Sequence, residues 1–383
     1  MNILSIETSC DETGISIIEA EGGLTRPSFE IHANTLTSQM KLHEKYGGVF
    51  PSLAKREHSK ALMPLLEEAL THAKHFQNTE TVLFETQKIA DLFVREPELK
   101  QRFLKRINTL GIPPIDLIAV TTGPGLEPAL WVGVNFARAL SRVWKKPIVG
   151  VNHMEGHIAS VLLEKEQPII NFNALALLIS GGHTELVEVD AWGSYTLLGA
   201  TRDDAVGEAF DKIGRLLGLP YPGGPEVSAL AKIARQKNLP PIEPLPRPML
   251  GSRDLDFSFS GLKTAVRYRI RDLKSNLSDT MRMQIARETE DAITQILIQK
   301  TEKALSERNI HSLIVAGGVI ANTHIRDAFN RLVQKYPPLT LHTPSATLAT
   351  DNALMIGAAG YLKYMRTGAE DPESLTATGT LEL

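Results

Sequence analysis

Short apolar runs alternate with helical patterns along most of the chain. Residues 2–7 (NILSIE) and 14–20 (GISIIEA) predict two strands of a hairpin, joined by a polar turn rich in small and acidic residues. Residues 52–74 predict a long helix, because their apolar positions recur on one side. Residues 114–140 predict a strand, a turn and a helix, and residues 349–365 predict a closing helix. Strands that alternate with helices in this way indicate the α/β class.

A second hairpin is predicted over residues 173–192, NALALLISGGHTELVEVDAW. It has the same layout as the first: an apolar strand, a turn of small residues and a second strand. Two such hairpins predict an internal duplication, with two mixed-sheet lobes and a cleft between them. Residues 75–111 predict two charged, amphipathic helices, interpreted as an insertion or a partner-binding surface. Residues 220–261 are rich in Pro and Gly, which favours an ordered surface excursion over a packed element.

Length and composition narrow the class of protein. A chain of 383 residues exceeds one ordinary core, so two domains are expected. The net charge of −3 provides no general attraction for nucleic acid, so RNA binding would need a local basic patch or partner proteins. The single cysteine, Cys10, excludes an internal disulfide framework and indicates a reducing compartment. The start of the chain lacks a basic n-region and no apolar run could span a bilayer, so a cytosolic protein is expected.

Residues 145–164 contain the strongest chemical signal. Pro147 to Val151 predict a buried strand, and Asn152 is a good N-cap for the helical pattern that follows. His153 and His157 are four residues apart, so their imidazoles lie about 40° apart around the helix and one turn apart along it. Two ring nitrogens in this arrangement can hold one metal ion, and hydrogen bonds to the backbone are the alternative.

A catalytic metal needs a third protein ligand, for which Asp351 in ATDNALM is the best candidate. Its position before a helix is also that of an ordinary acidic N-cap. Two histidines and a carboxylate suit non-haem iron or zinc, and the residues do not choose between them. A zinc protease would carry H-E-x-x-H, whereas the order here is H-M-E-G-H, so Glu155 points away from His153. This disfavours a metallopeptidase without excluding it.

Three turns have the composition of anion-binding loops: TGPGL (122–126), ISGGH (179–183) and AGGVIAN (316–322). Together they favour a nucleotide cleft, although no P-loop or dinucleotide fingerprint is present. Asp11 and Glu12 at the first hairpin tip could bind ribose or accept a proton from an amine. Asp204, Glu208 and Asp211 predict a shared acidic face without an obvious basic partner.

Eight motifs, in order along the chain, resemble the bacterial TsaD family. They are ETSCDET (7–13), NHMEGH (152–157), LISGGHTEL (178–186), DDAVGEAFDK (203–212), YPGGP (221–225), DFSFSGLKT (256–264), AGGVIAN (316–322) and TDNALM (350–355). The resemblance implies a two-lobed actin/Hsp70-like (ASKHA) fold of duplicated ribonuclease-H-like domains. It also implies transfer of a threonylcarbamoyl group from threonylcarbamoyl-AMP to N6 of adenosine 37, in tRNAs that read codons beginning with A.

The resemblance also implies the site. His153, His157 and Asp351 would hold one divalent ion, usually iron in the family, with zinc as the alternative. Asp11 and Glu12, chosen from the chemistry of their side chains and not by motif, are the candidate catalytic carboxylates. The substrate contacts carried over by motif are Leu178, Ile179, Ser180, Gly181, Gly182, Asp211, Gly224 and Asn322. The candidate cations for an RNA surface are Lys55, Arg56, Arg253, Lys263, Arg267 and Arg269. A metallopeptidase and a non-catalytic nucleotide-binding scaffold are the alternative functions.

The implied partners are TsaB-like and TsaE-like subunits, with the TsaB-like subunit on the N-terminal lobe. The predicted lobes are residues 1–151 with 345–383, which include the insertion, and residues 152–344, which carry the His pair and the Gly-rich turns. The sequence departs from the family pattern in three places. Residues 75–111 look longer than usual, Asn152 stands where a further histidine is common, and LEPALWVGVN (126–135) is bulkier than the usual run of small residues.

Overall fold

The structure is a computed structural model that describes residues 1–73, 84–166, 168–272 and 277–383. The chain divides into two compact units, Met1–Ile169 with Asp351–Leu383, and Ile170–Thr350. Elements are numbered in chain order. Within the described residues, no helix combines the length and apolar character that a bilayer crossing requires.

The first unit is built on a five-stranded sheet. Its strands are β1 (Asn2–Glu7), β2 (Glu12–Glu21), β3 (Ser28–Ser38), β4 (Leu117–Gly123) and β5 (Ile148–Asn152). Its helices are α1 (Met40–His43), α2 (Pro51–His72), α3 (Thr86–Leu92), α4 (Pro97–Leu110), α5 (Glu127–Trp144), α6 (His153–Ala159) and α13 (Ala353–Thr367). Pro51 and Pro97 stand in the first turns of their helices, where a missing N–H costs no intrahelical bond.

The second unit is built on another five-stranded sheet. Its strands are β6 (Ala174–Ile179), β7 (Thr184–Ala191), β8 (Ser194–Ala200), β9 (Ser312–Ala316) and β10 (Thr340–His342). Its helices are α7 (Val206–Leu216), α8 (Gly223–Gln236), α9 (Ser260–Asp272), α10 (Asp279–Glu307), α11 (Thr323–Val333) and α12 (Ala346–Ala349).

The two sheets share one topology. In the first, the order is β3-β2-β1-β4-β5, with β1, β2 and β3 antiparallel and with β4 and β5 added in parallel to β1. In the second, β8, β7 and β6 take the antiparallel places, and β9 and β10 take the parallel ones. This repeat confirms the predicted α/β class and the duplicated ribonuclease-H-like domains of the ASKHA fold.

Close packing of α13 against the first sheet positions the metal candidates. A Cβ on Gly360 would lie 2.5 Å from the Cβ of Ala119 in β4, and a Cβ on Gly357 would lie 2.8 Å from Ile18 in β2. Only glycine allows the helix to approach this closely. The start of α13 therefore lies beside β1 and α6, both of which it contacts.

Several boundaries differ from the sequence predictions. The predicted lobe boundaries lie at 151/152 and 344/345, whereas the compact units divide at 169/170 and 350/351, so the His pair lies in the first unit. The physical reason is that α6 continues from β5 and packs on α13, which both belong to that unit. Strands β3 and β8 were not predicted, because their exposed positions obscure the apolar alternation.

The Pro- and Gly-rich segment also differs from its prediction, whereas the predicted helical pair forms. The Pro- and Gly-rich residues 220–261 contain a packed helix, α8, whose buried side includes Val227, Ala231 and Ala234. Of the predicted pair within residues 75–111, α3 and α4 form as helices, and Phe93 and Phe103 are fully buried in the first core. The beginning of that prediction and the last residue of the predicted helix 52–74 lie outside the described residues.

Candidate metal centre and glycine-rich turns

Strand β5 and helix α6 present the two histidines. The side-chain oxygen of Asn152 accepts from the amides of Met154 at 2.8 Å and Glu155 at 3.4 Å, which confirms the predicted N-cap. His153 and His157 are buried, and their ring centroids lie 4.7 Å apart with the planes nearly perpendicular. The two imidazoles therefore face one small volume, as the helical spacing predicted.

Asp351, which lies far from the histidines along the chain and just before α13, borders the same volume. Its Oδ1 lies 3.5 Å from Nε2 of His153 and 3.3 Å from Nε2 of His157. The alternative role, an ordinary N-cap, belongs instead to Asn352, whose side chain accepts from the amide of Met355 at 3.1 Å. The Asp351 carboxylate is thus free of capping and directed at both imidazoles.

Glu7 is a residue of this centre that the sequence analysis missed. It ends β1 fully buried, and its Oε2 lies 3.2 Å from Nδ1 of His153. The same carboxylate accepts from the Thr121 hydroxyl at 2.6 Å and from the Ser9 amide at 2.5 Å. A carboxylate on the far nitrogen of a metal-binding histidine fixes the ring and its tautomer. The sequence does contain a signal for Glu7, because it is a charged residue at the end of a largely apolar strand.

Opposite charges compensate one another in the pocket. Burial alone would raise the pKa of Asp351, but His153 and His157 outweigh it and hold this pKa well below its usual value. Burial would lower the pKa of His153, but the carboxylates of Asp351 and Glu7 outweigh it and raise this pKa well above its usual value. Two carboxylates thus stabilise positive charge here, and a bound metal cation would take the place of the imidazole proton.

The donor set fits a metal ion. One ligand atom from each of His153, His157 and Asp351 lies within 4.8 Å of the others. Nδ1 of His157 has no hydrogen-bond partner among the described residues, and its Nε2 has only the 3.3 Å contact with Asp351, although the side chain is fully buried. Buried polar atoms without partners are costly, so a ligand at this position would satisfy them. Two imidazoles and one carboxylate leave further coordination positions open, as non-haem iron and catalytic zinc require.

Three other acidic residues lie around the centre. Glu12 begins β2 and accepts from the Ser38 hydroxyl at 3.0 Å, and burial together with the charges of Asp11 and Asp351 raises the pKa of Glu12 to about 10. A nearby cation would favour its ionised form. Glu155, the residue that a protease would use as its base, is instead paired with Arg366 at 3.2 Å.

The predicted substrate turns of the second unit converge around the end of β6. Leu178 and Ile179 are buried in the strand, and the turn that follows is closed by a bond from the Ser180 amide to the His183 carbonyl at 2.9 Å. The Gly207 amide in α7 donates to the Ser180 carbonyl at 3.2 Å. A Cβ on Gly317, which follows β9, would lie 2.5 Å from the Ile179 carbonyl oxygen. The turn after β6, the start of α7 and the residue after β9 are therefore in direct main-chain contact.

Open space borders the outer side of these turns. A Cβ added at Gly181, Gly182 or Gly318 would meet no described atom within 4 Å. Main-chain amides next to missing side chains can approach a phosphate closely. The AGGVIAN segment forms a short 3-10 turn, Gly318–Ala321, before α11 begins, rather than opening the α-helix directly.

The other predicted substrate contacts also hold the local backbone. The Oδ1 of Asp211 in α7 accepts from the amides of Gly223 at 2.7 Å and Gly224 at 3.3 Å, which joins the start of α8 to α7. Asn322 caps α11 through the Ile325 amide at 3.1 Å, and its Nδ2 donates to the buried Glu290 carboxylate at 2.7 Å. These side chains are thus fixed in orientation.

Two sequence interpretations are wrong. The acidic face has a basic partner, because Lys212 pairs with Asp204 and Glu208. The TGPGL turn is covered by the chain's own C-terminal residues: the Gly125 amide donates to the Gly379 carbonyl at 3.0 Å, and Thr378 bonds to the Thr122 carbonyl at 2.8 Å. The Gly125 amide is therefore not available to bind a phosphate.

Comparisons with known proteins point to one family. A sequence model of TsaD, tRNA N6-adenosine threonylcarbamoyltransferase, matches residues 30–81 and 97–358. The tRNA N6-adenosine threonylcarbamoyltransferase of Ralstonia pickettii (strain 12J) is 43% identical over 373 residues, 97% of this chain and 93% of the relative. That of Paraburkholderia xenovorans (strain LB400) is 42% identical over 367 residues, 96% of this chain and 93% of the relative.

Among solved structures, component A of the (R)-2-hydroxyglutaryl-CoA dehydratase of Acidaminococcus fermentans covers 97% of this chain and 100% of its own, at 12% identity and a TM-score of 0.48.

The family match leaves residues 82–96 unmatched, a shorter departure than the predicted 75–111, and this stretch includes α3.

Proposed function

The chain belongs to the TsaD family, and we propose on this premise that it transfers the threonylcarbamoyl group of threonylcarbamoyl-AMP to N6 of adenosine 37, in tRNAs that read codons beginning with A. It is an acyltransferase of the tRNA N6-adenosine threonylcarbamoyltransferase type. The observation that carries the proposal is the 43% identity over 97% of the chain.

The reaction joins the adenine N6 atom to the carbamoyl carbon and breaks the bond from that carbon to the AMP phosphate oxygen. N6 loses a proton, and AMP leaves as a phosphate monoester. We assign proton acceptance to the carboxyl pair Asp11 and Glu12. The open turn at Gly181 and Gly182 would bind the phosphate through main-chain amides and stabilise its negative charge as AMP leaves. Because N6 is a weak nucleophile, positioning of the adenine contributes much of the rate.

We propose His153, His157 and Asp351 as ligands of one divalent ion, with iron preferred and zinc as the alternative. The bound ion would supply Lewis-acid polarisation of a substrate oxygen. Glu7 would hold the His153 ring so that Nε2 is directed at the ion. We further propose assembly with TsaB-like and TsaE-like subunits, and action in the cytoplasm, where tRNA is available.

The test combines the purified protein, the two partner subunits, threonylcarbamoyl-AMP and unmodified tRNA, and scores modified nucleoside by mass spectrometry. The double variant His153→Ala/His157→Ala should lose both metal and product. The exposed pair His72→Ala/His311→Ala is the matched control and should keep both. A folded, metal-loaded wild type that yields no product would refute the proposal. Metal-dependent cleavage of a glycoprotein without tRNA would favour a peptidase, and AMP binding without product would favour a scaffold.

A further inference from the structure

Helix α9 presents a basic face on the surface of the second unit. Lys263, Arg267 and Arg271 follow one another at intervals of four residues and therefore lie along one side of the helix. Arg267 and Arg271 are exposed. The only acidic residue in α9 is its last, Asp272. In a chain with a net charge of −3, this is a local concentration of positive charge.

Lys263 and Arg267 differ from most other cations on the same unit because carboxylates do not neutralise them, whereas Arg271 pairs with the adjacent, exposed Asp272 at 3.2 Å. Arg202 pairs with Asp254 and Asp256, and Arg269, on the opposite side of α9, bonds to the Glu243 carbonyl at 2.6 Å. Within the part of the chain that the structure describes, the side chains of Lys263 and Arg267 make no hydrogen bond or ion pair with another residue. Unpaired cations can approach a polyanion without first breaking an ion pair.

An aromatic ring accompanies the charges. Tyr268 is 51% exposed, and the guanidinium of Arg271 lies over its ring, 4.8 Å from the centroid. An exposed ring with a guanidinium beside it offers stacking surface to an unpaired base as well as charge to a phosphate. Cations alone would fit any anionic surface, whereas this combination favours RNA.

The face is attached rigidly to the helix that borders the substrate turns. The carboxylate of Asp203, just before α7, accepts from the Phe259 amide at 2.8 Å and from the Ser260 hydroxyl at 2.8 Å, which fixes the start of α9. Helices α7 and α9 pack together, and Gly207 in the first turn of α7 bonds to Ser180. Asp203 thus places the basic face next to the element that supports the proposed adenylate site.

We propose that Lys263, Arg267, Tyr268 and Arg271 form a contact surface for the substrate tRNA. The three cations contact sugar–phosphate oxygens, and Tyr268 stacks on an unpaired base of the anticodon arm. This inference rests on the proposed function and identifies which of the chain's scattered cations bind the RNA. It predicts a salt-dependent contribution to tRNA affinity that leaves adenylate binding unchanged.

The test compares two triple variants with the same change in charge. Lys263→Ala/Arg267→Ala/Arg271→Ala removes the face, whereas Lys232→Ala/Lys237→Ala/Arg331→Ala removes exposed cations elsewhere on the same unit. Fluorescence anisotropy with unmodified tRNA at several salt concentrations gives Kd and its salt dependence. We expect the first variant to bind roughly 10- to 100-fold more weakly at low salt. The slope of log affinity against log salt should fall by about 2, since each lost phosphate contact removes about 0.7 to 0.9.

Steady-state kinetics should show a raised KM for tRNA, with unchanged kcat and unchanged KM for threonylcarbamoyl-AMP. Tyr268→Ala should weaken tRNA binding, and Tyr268→Phe should restore it, because the ring does the stacking. Equal tRNA affinity in the two triple variants would overturn the inference while the wild type still modifies tRNA. A wild type that binds tRNA through this face but modifies nothing would support the surface and refute the proposed function.

Discussion

The substitution Glu7→Gln tests how the metal centre is organised. The carboxylate accepts from the Ser9 amide, the Thr121 hydroxyl and Nδ1–H of His153, so each oxygen has a defined donor. Glutamine has nearly the same shape, but one oxygen becomes an NH2 group. If Oε1 keeps the Ser9 amide, the new donor faces Nδ1 of His153. That nitrogen must then accept, which moves the ring proton to Nε2, the atom directed at Asp351 and the proposed ion.

The expected loss of metal affinity follows from this change of tautomer. Loss of a carboxylate partner of a metal-binding histidine typically costs about 10- to 100-fold in metal affinity. That range corresponds to about 1.4 to 2.7 kcal/mol. We expect Glu7→Gln to lie at the upper end, because the variant both removes a negative charge and opposes the correct tautomer.

The assay is competition between the metal-free protein and a chromophoric chelator for Co²⁺ or Zn²⁺ near neutral pH. Glu96→Gln is the matched control: Glu96 is equally buried in the same unit, but it contacts Lys55 and Asn135 rather than a histidine. Both variants should unfold at lower temperature, since each disrupts a buried ionic contact. Only Glu7→Gln should lose metal affinity. A Glu7→Gln protein that is folded and binds the ion within roughly twofold of the wild type would refute the reasoning.

Three further predictions concern other parts of the molecule. Deletion of residues 378–383 removes bonds to the TGPGL turn and to the Asn152 side chain, so Tm should fall by about 5 to 10 °C in a thermal melt; an unchanged Tm would contradict this. Gly182→Val should weaken AMP binding about tenfold or more in calorimetry, with little change in Tm, because its side chain would enter open space. Gly207→Ala should lower Tm, because its Cβ would lie 2.6 Å from the Ser180 carbonyl oxygen. The reverse pattern would count against an open phosphate turn. Burial lowers the pKa of His58 to about 4, below its unfolded value of about 6.5, so its stabilisation is present above pH 6.5 and is lost as the pH falls toward 4. In urea melts the stability difference between wild type and His58→Gln should therefore shrink by about 3 kcal/mol from pH 7 to pH 4, and a constant difference would show that His58 does not titrate in this way.

Local patterns predicted the parts of the site that depend on a single element. The spacing of His153 and His157 places both rings on one side of α6 because helical geometry is local, and Asn152 caps that helix for the same reason. The i,i+4 relation between Glu208 and Lys212 is also local. This spacing is present in the sequence, so the sequence itself supplies the basic partner of the acidic face.

Contacts between distant residues were decided only by the tertiary structure. Whether Asp351 caps α13 or faces the histidines depends on where α13 packs, and Gly357 and Gly360 allow that close approach to the sheet. Glu7 reaches His153 because β1 is the central strand of its sheet.

The sequence by itself determined the α/β class, the repeated hairpin and the helix that carries the two imidazoles, because each depends on periodicity and capping within a few residues. Only the tertiary structure decided which carboxylates surround those imidazoles, which Gly-rich turns stay open and which cations remain unpaired. These features depend on contacts between elements that are far apart along the chain, and local propensity does not encode such contacts.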